Sequence, residues 1–169
     1  VPPLERLYQM AFVVEALEPA IARWVAAANA GPFFVFDPFA FEDPRLDGVP
    51  AEPGIAIALG FSGDLFIELI EVRGRGPSVF EGTAPGALHH VARLSADVDA
   101  TLAALAAQGA PTRFRARFAP GIAMGFADTR AQLGCWSEVI EATPDVAGLL
   151  DMMRAAHRGW DGRDPVRRL

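Results

Sequence analysis

Phe66-Ile67-Glu68-Leu69-Ile70-Glu71 and Trp136-Ser137-Glu138-Val139-Ile140-Glu141 stand 70 positions apart and share one pattern: an aromatic, a glutamate two residues on, an isoleucine two beyond that. Each run is apolar and short, which reads as a strand. Upstream, Gln9-Met10-Ala11-Phe12-Val13 falls on His90-Val91-Ala92-Arg93-Leu94 at a shift of 81. Each of these runs is followed by an acidic turn and a helix-like stretch. The chain is therefore an internal repeat, and a repeat fixes an architecture before any single element is assigned.

The helical stretches carry apolar stripes at helical spacing, Ile21, Trp24, Val25 and Ala28 in the first copy and Val98, Leu102, Leu105 and Ala106 in the second. Pro19 suits a first helical turn and Gly109 a helix end. Between helix and final strand lie two further strands per copy, Phe33 to Phe36 and Ile55 to Phe61, then Thr112 to Phe118 and Ile122 to Ala127. The expected fold is α+β: two tandem βαβββ modules whose curved mixed sheets surround a central cavity, followed by a C-terminal helix. One domain covers residues 1–169, with module one at about 6–73, module two at about 87–142, and the helix and tail at about 143–169. Thr143 ahead of Pro144 marks an N-cap, and Val146, Leu149, Leu150, Met153 and His157 form the stripe of that last helix. The drop in shift from 81 to 70 assigns about eleven extra residues to the first copy, in the Pro- and Asp-rich stretch from Asp37 to Gly54. That stretch reads as a surface loop, either a lid or an irregular connection. The run from Trp160 to Leu169 is turn-rich and is expected to wrap the surface or a partner subunit.

Composition bounds the function. The net charge of −6 argues against nucleic acid as a partner, and the absence of lysine excludes a Schiff base or a Walker-type phosphate lysine. A single cysteine, Cys135, forms no internal disulfide, and no stretch approaches the ~20 apolar residues that span a bilayer. The expectation is a soluble cytoplasmic protein that acts on a small molecule, with homodimerisation as a means of covering sheet edges.

Within a strand, Glu68 shares a face with Phe66 and Ile70, and Glu138 with Trp136 and Ile140. A carboxylate among bulky apolar groups needs a partner, and here two occupy equivalent repeat positions. Gln9 and His90 are equivalent as well. A pseudo-twofold axis would bring all four toward one point, offering three oxygens and one imidazole nitrogen, a set suited to Zn²⁺, Ni²⁺, Co²⁺ or Mn²⁺. The same residues also read as two edge glutamates and a satisfied core histidine. His89 should face the other way from His90, at the rim or in a structural role, and Cys135 reads as an inert buried thiol. Phe66 and Trp136 are expected to line the cavity. Arg113, Arg115 and Arg117 share one strand face, which reads as a solvated edge or as a grip for a carboxylate or phosphate.

The blocks YQMAFVVEALEPAIARW, DLFIELIEV, LHHVARLSADVDATLAALAAQG and LGCWSEVIEA, in that order, resemble the glyoxalase, bleomycin-resistance and dioxygenase (vicinal oxygen chelate) superfamily. The resemblance implies a metal held by Gln9, Glu68, His90 and Glu138, the ligand set of one type of glyoxalase I. It implies a metal-dependent lyase or isomerase that removes a proton next to a carbonyl, with Glu138 and Glu68 as the catalytic carboxylates and a metal-stabilised enediolate. Methylmalonyl-CoA epimerases share the same blocks but usually carry His at the first ligand position and Gln at the second. Val13, Val14 and Glu15 offer no arginine of the kind glyoxalase I uses to grip glutathione. The alternatives are an epimerase-like enzyme and a non-catalytic protein of the same fold that sequesters a small molecule; ring-cleaving dioxygenation, which generally needs two histidines and one carboxylate, ranks behind both.

Overall fold

The computed structural model describes residues 4–169. Its first half runs β1 (Leu7–Val14), α1 (Leu17–Ala28), β2 (Phe33–Phe39), β3 (Glu42–Leu46), β4 (Val49–Pro50), β5 (Ile55–Ser62) and β6 (Leu65–Val72). The second half runs β7 (Leu88–Ser95), α2 (Val98–Ala107), β8 (Thr112–Phe118), β9 (Ile122–Ala127), α3 (Arg130–Leu133), β10 (Trp136–Glu141), α4 (Pro144–His157) and β11 (Val166–Arg168). All strands form one curved, unclosed mixed sheet in the order β11-β2-β5-β6-β1-β7-β10-β9-β8-β3-β4. The two opening strands, β1 and β7, lie antiparallel at its centre, and each pairs in parallel with the last strand of its own module.

Strand alternation sorts the side chains into layers. On β5, Ile55, Ile57, Leu59 and Phe61 face the concave side while Ala56 and Ala58 lie under α1, where small side chains let the helix approach. On β6, Phe66 and Ile70 point inward and Ile67 and Leu69 outward. α1 buries Leu17, Ala20 and Ile21 on the convex face. α2 does the same with Val98, Thr101, Leu102 and Leu105, whereas Ala106, expected in this stripe, is exposed. Thr143 Oγ1 accepts from the Val146 amide as the N-cap of α4, whose Leu149 and Leu150 reach the concave cavity.

Two expected loops are strands. The stretch 37–54 is not an irregular connection: β2 runs on through Pro38 to Phe39, and after Ala40 and Phe41 the chain joins the opposite flank of the sheet, where β3 pairs with β8. Two intervening residues bridge only about 10 Å, so the sheet curls until its flanks almost meet. Phe39 packs on Phe118 at 5.8 Å and Phe41 on Phe114 at 5.4 Å across that seam. β3 then turns into β4 through Asp47 (φ 51°) and Gly48 (φ 80°), a two-residue hairpin of the primed type that tolerates left-handed backbone at both positions. β8 is consequently not an edge strand. Its arginines point outward and are paired, Arg113 with Asp47 and Arg115 with Asp99, while Arg117 donates to the Gly121 carbonyl. The C-terminal tail packs on its own chain, β11 adding in parallel to β2 and Trp160 covering Gly31.

Candidate metal centre and its cavity

Sheet register assembles the cluster. Across the four central strands, one row reads Glu68, Ala11, His90, Trp136 and the next reads Phe66, Gln9, Ala92, Glu138. Directly paired residues share a face. Glu68 and His90 therefore flank Ala11, and Gln9 and Glu138 flank Ala92. The two alanines, equivalent in the repeat and fully buried, leave the room over which the four longer side chains converge.

Converge they do. The Gln9 amide Nε2 donates to Glu68 Oε2 at 2.8 Å. His90 Nε2 lies 3.3 Å from Glu68 Oε2 and 3.0 Å from Glu138 Oε2. All four side chains are buried. Ligand atoms of Glu68, His90 and Glu138 sit within 4.8 Å of one another. Donors bound to one ion at about 2.1 Å stand up to about 4 Å apart, so small side-chain rotations would close the set on a metal. Of the three buried side-chain atoms without a hydrogen-bond partner among the described residues, two lie in this cluster, His90 Nε2 and Gln9 Oε1; the third is Arg93 Nε. A nitrogen between two carboxylate oxygens, directed at neither, is an arrangement that a shared divalent ion would complete, so the residues fit such an ion.

Burial pushes the Glu68 carboxyl above its ordinary value, and the nearby Glu138 charge adds to this. Burial works against a charge on His90, but the Glu138 and Glu68 carboxylates overcome it and raise the imidazole to about 9. His89 behaves in the opposite way: burial and the adjacent His90 lower it to about 3. The reason His89 is inside at all is a β-bulge. Between Leu88 and His90 the pairing with β1 gains one residue, so His89 turns to the interior instead of facing away from His90. His89 Nε2 lies 2.8 Å from the Val79 carbonyl, which only accepts, so that nitrogen carries the proton. The neutral His89 ring then offers its Nδ1 lone pair to His90 Nδ1 at 2.9 Å. His90 Nδ1 is therefore the donor, and in the neutral ring Nε2 presents its lone pair to the carboxylates.

A second bulge, between Leu7 and Gln9 on β1, turns Tyr8 inward in the same manner. Tyr8 stacks on Phe66 at 5.9 Å and lines the cavity, and burial together with Glu138 and Glu68 pushes its phenol well above the usual range. The pattern of alternation concealed both Tyr8 and His89. Trp136 does not reach the cavity; it backs His89 at 6.3 Å, with the Arg130 guanidinium 4.4 Å over its ring. Cys135 is buried and its thiol is pushed up by burial, as expected of an inert group.

The cluster closes one end of a cavity of about 460 Å³. Its walls come from both modules, the crossing segment and α4, with Phe36, Phe39, Phe41, Phe66, Phe118 and Phe126 prominent. Both the cluster and the lining are formed by residues of one chain.

The sequence profile of the Glyoxalase/Bleomycin resistance protein/Dioxygenase superfamily matches residues 8–130. The chain belongs to this superfamily. Its fold is similar to that of methylmalonyl-CoA epimerase from Mycobacterium tuberculosis, at a TM-score of 0.60 and 18% identity over 88% of this chain and 95% of that one. A hypothetical protein from Bacillus halodurans is similar at 0.56 and 19% over 82% and 95%. A Streptomyces coelicolor methylmalonyl-CoA epimerase variant in complex with 2-nitronate-propionyl-CoA is similar at 0.52 and 20% over 84% and 97%. No curated protein matches the sequence. Superfamily membership accounts for the fold, and at these identities the solved structures speak to the fold alone.

Proposed function

We propose that this superfamily member is a metal-dependent isomerase or lyase that removes a proton from carbon next to a carbonyl, in the manner of glyoxalase I. The observation that carries the reading is the buried Glu68–His90–Glu138 cluster, with Gln9 beside it, at the closed end of an apolar cavity. Gln9, Glu68, His90 and Glu138 are the proposed ligands for Zn²⁺, Ni²⁺, Co²⁺ or Mn²⁺. Such an ion supplies, when bound, stabilisation of negative charge developing on the carbonyl oxygen.

The two carboxylates are not equivalent. Glu68 accepts a hydrogen bond from Gln9 Nε2 and stands 3.3 Å from His90 Nε2, while Glu138 stands 3.0 Å from His90 Nε2 without the Gln9 bond. Glu138 is therefore the freer group and the proposed base; Glu68 serves as ligand, or as a second base. The apolar walls lower the local dielectric and so strengthen the interaction of both groups with a developing charge. Solvent deuterium should enter the α-position of a bound carbonyl compound in the metal-loaded protein and not in Glu138→Gln; absence of exchange with every carbonyl compound that binds would remove the reading.

A second reading rests on the same pair. Glu68 and Glu138 come from opposite halves of the pseudo-twofold, which suits proton removal by one and return by the other, and the similar folds include methylmalonyl-CoA epimerases. Sequestration without turnover is the third, supported by the apolar walls. Stoichiometric metal in protein purified without a histidine tag favours catalysis; tight ligand binding by metal-free protein favours sequestration.

A further inference from the structure

We infer that the ligand of this cavity is a free, uncharged, largely apolar carbonyl compound rather than a glutathione or CoA conjugate. The inference deepens the proposed function and rests on its cavity, but not on the proton transfer itself.

The chemistry of the lining points this way. Among the described residues that line the cavity, the ionisable side chains are Glu68, Glu138, Asp145, His90 and Tyr8, and no arginine is present. The chain has no lysine to substitute for one. Glutathione and CoA carry carboxylates or phosphates, and a group of that kind needs a cation or several donors when it leaves water. The exposed ionisable residue of the lining is Asp145, in the first turn of α4, so an anionic tail lying outward would meet a like charge. The β8 arginines do not compensate. Arg113 and Arg115 are engaged by Asp47 and Asp99, and Arg117 projects from the face opposite Phe118 to the Gly121 carbonyl.

The closed end adds a second argument. Glu68 and Glu138 carry two negative charges between them, enough to balance a divalent ion, so a loaded site has no excess positive charge for a substrate anion. What it offers is oxygen- and nitrogen-bearing groups at one pole: Gln9, His90, the two carboxylates, and the Tyr8 hydroxyl as a neutral donor. Apart from Asp145 at the exposed side, everything else is aromatic or aliphatic. A cavity of about 460 Å³ with one polar pole and apolar walls takes a compound of drug-like size whose oxygens sit at one end.

The test uses N-phenyl-1-naphthylamine, an uncharged fluorophore, titrated into the metal-loaded protein. It should bind with fluorescence enhancement and be displaced by benzoin, an uncharged aromatic 2-hydroxyketone. Propionyl-CoA and S-hexylglutathione should need concentrations about 100-fold higher. Ile57→Trp, which fills the cavity wall, should weaken the fluorophore by about tenfold, with a melting curve to confirm that the variant is folded. Displacement by either conjugate at or below the benzoin concentration overturns the inference, as does fluorophore affinity unchanged in folded Ile57→Trp. The two readings fail separately. Benzoin binding without α-proton exchange leaves the ligand class standing and removes catalysis, whereas exchange on a thioester with no benzoin binding does the reverse.

Discussion

Tyr8 and His89 occupy equivalent places in the two modules, each the extra residue of a β-bulge and each one position before a proposed ligand, yet they serve opposite ends of the site. Tyr8 lines the cavity and stacks on Phe66. His89 is fully buried behind His90 and joins it to the Val79 carbonyl. The backbone distortion survives in both halves while the side chain on it has changed. The repeat thus supplies a scaffold with two inward-turned positions, one on the cavity wall and one behind the proposed metal site.

The largest effect that would sharpen this contrast concerns the glutamates. Glu138→Gln should lower α-proton exchange by about 10³-fold, whereas Glu68→Gln should act mainly through metal occupancy and recover in part at high metal concentration. Equal, unrecoverable losses would show that the two halves are functionally symmetric. Next come the bulge residues. His89→Phe should weaken metal binding by about 10–100-fold, the cost of losing a partner that orients a ligand. Tyr8→Phe should leave metal affinity within about twofold and act instead on ligand binding, since a single neutral hydrogen bond contributes about 1 kcal/mol.

Protonation gives the third test. In metal-free protein the flanking carboxylates keep His90 charged up to about pH 9, above the 6.5 of a free imidazole. A raised folded-state value contributes stability that is fully present below about pH 6.5 and is lost as pH rises through about 9. The melting temperature of metal-free protein should therefore fall across that window. Metal displaces the His90 proton, so metal binding at pH 7.5 should release about one proton, seen as buffer-dependent heat in calorimetry. No release would mean that His90 does not give up a proton to the ion. The smallest effect separates the helices. Asp97 caps α2 by accepting from the Ala100 amide, while α1 begins at Ala16 without a side-chain cap and instead has its Leu17 amide bonded by Glu71 of β6. Asp97→Ala should cost about 1 kcal/mol in urea unfolding.

The duplicated strands were legible because an alternating pattern repeated at fixed distance constrains both face and order. Gln9, Glu68, His90 and Glu138 were legible for the same reason, and the structure brings those four side chains together. His89 and Tyr8 were hidden because a bulge is a property of pairing between strands, and alternation along a single strand assigns its residue to the wrong face. The β3–β4 hairpin did leave a signal: Asp47-Gly48 between Leu46 and Val49 is a strong two-residue turn motif. It was masked by the prolines and aspartates around it, which read as loop. That β3 would pair with β8 of the other module could not be read locally, since it depends on how far the sheet curls.

X-ray absorption at the metal edge of zinc-loaded protein tests the central claim most directly. The account predicts one ion per chain in a shell of oxygens with a single imidazole nitrogen, shifted or lost in His90→Ala. Sulfur in the shell, two imidazoles, or a spectrum unchanged by His90→Ala would contradict it.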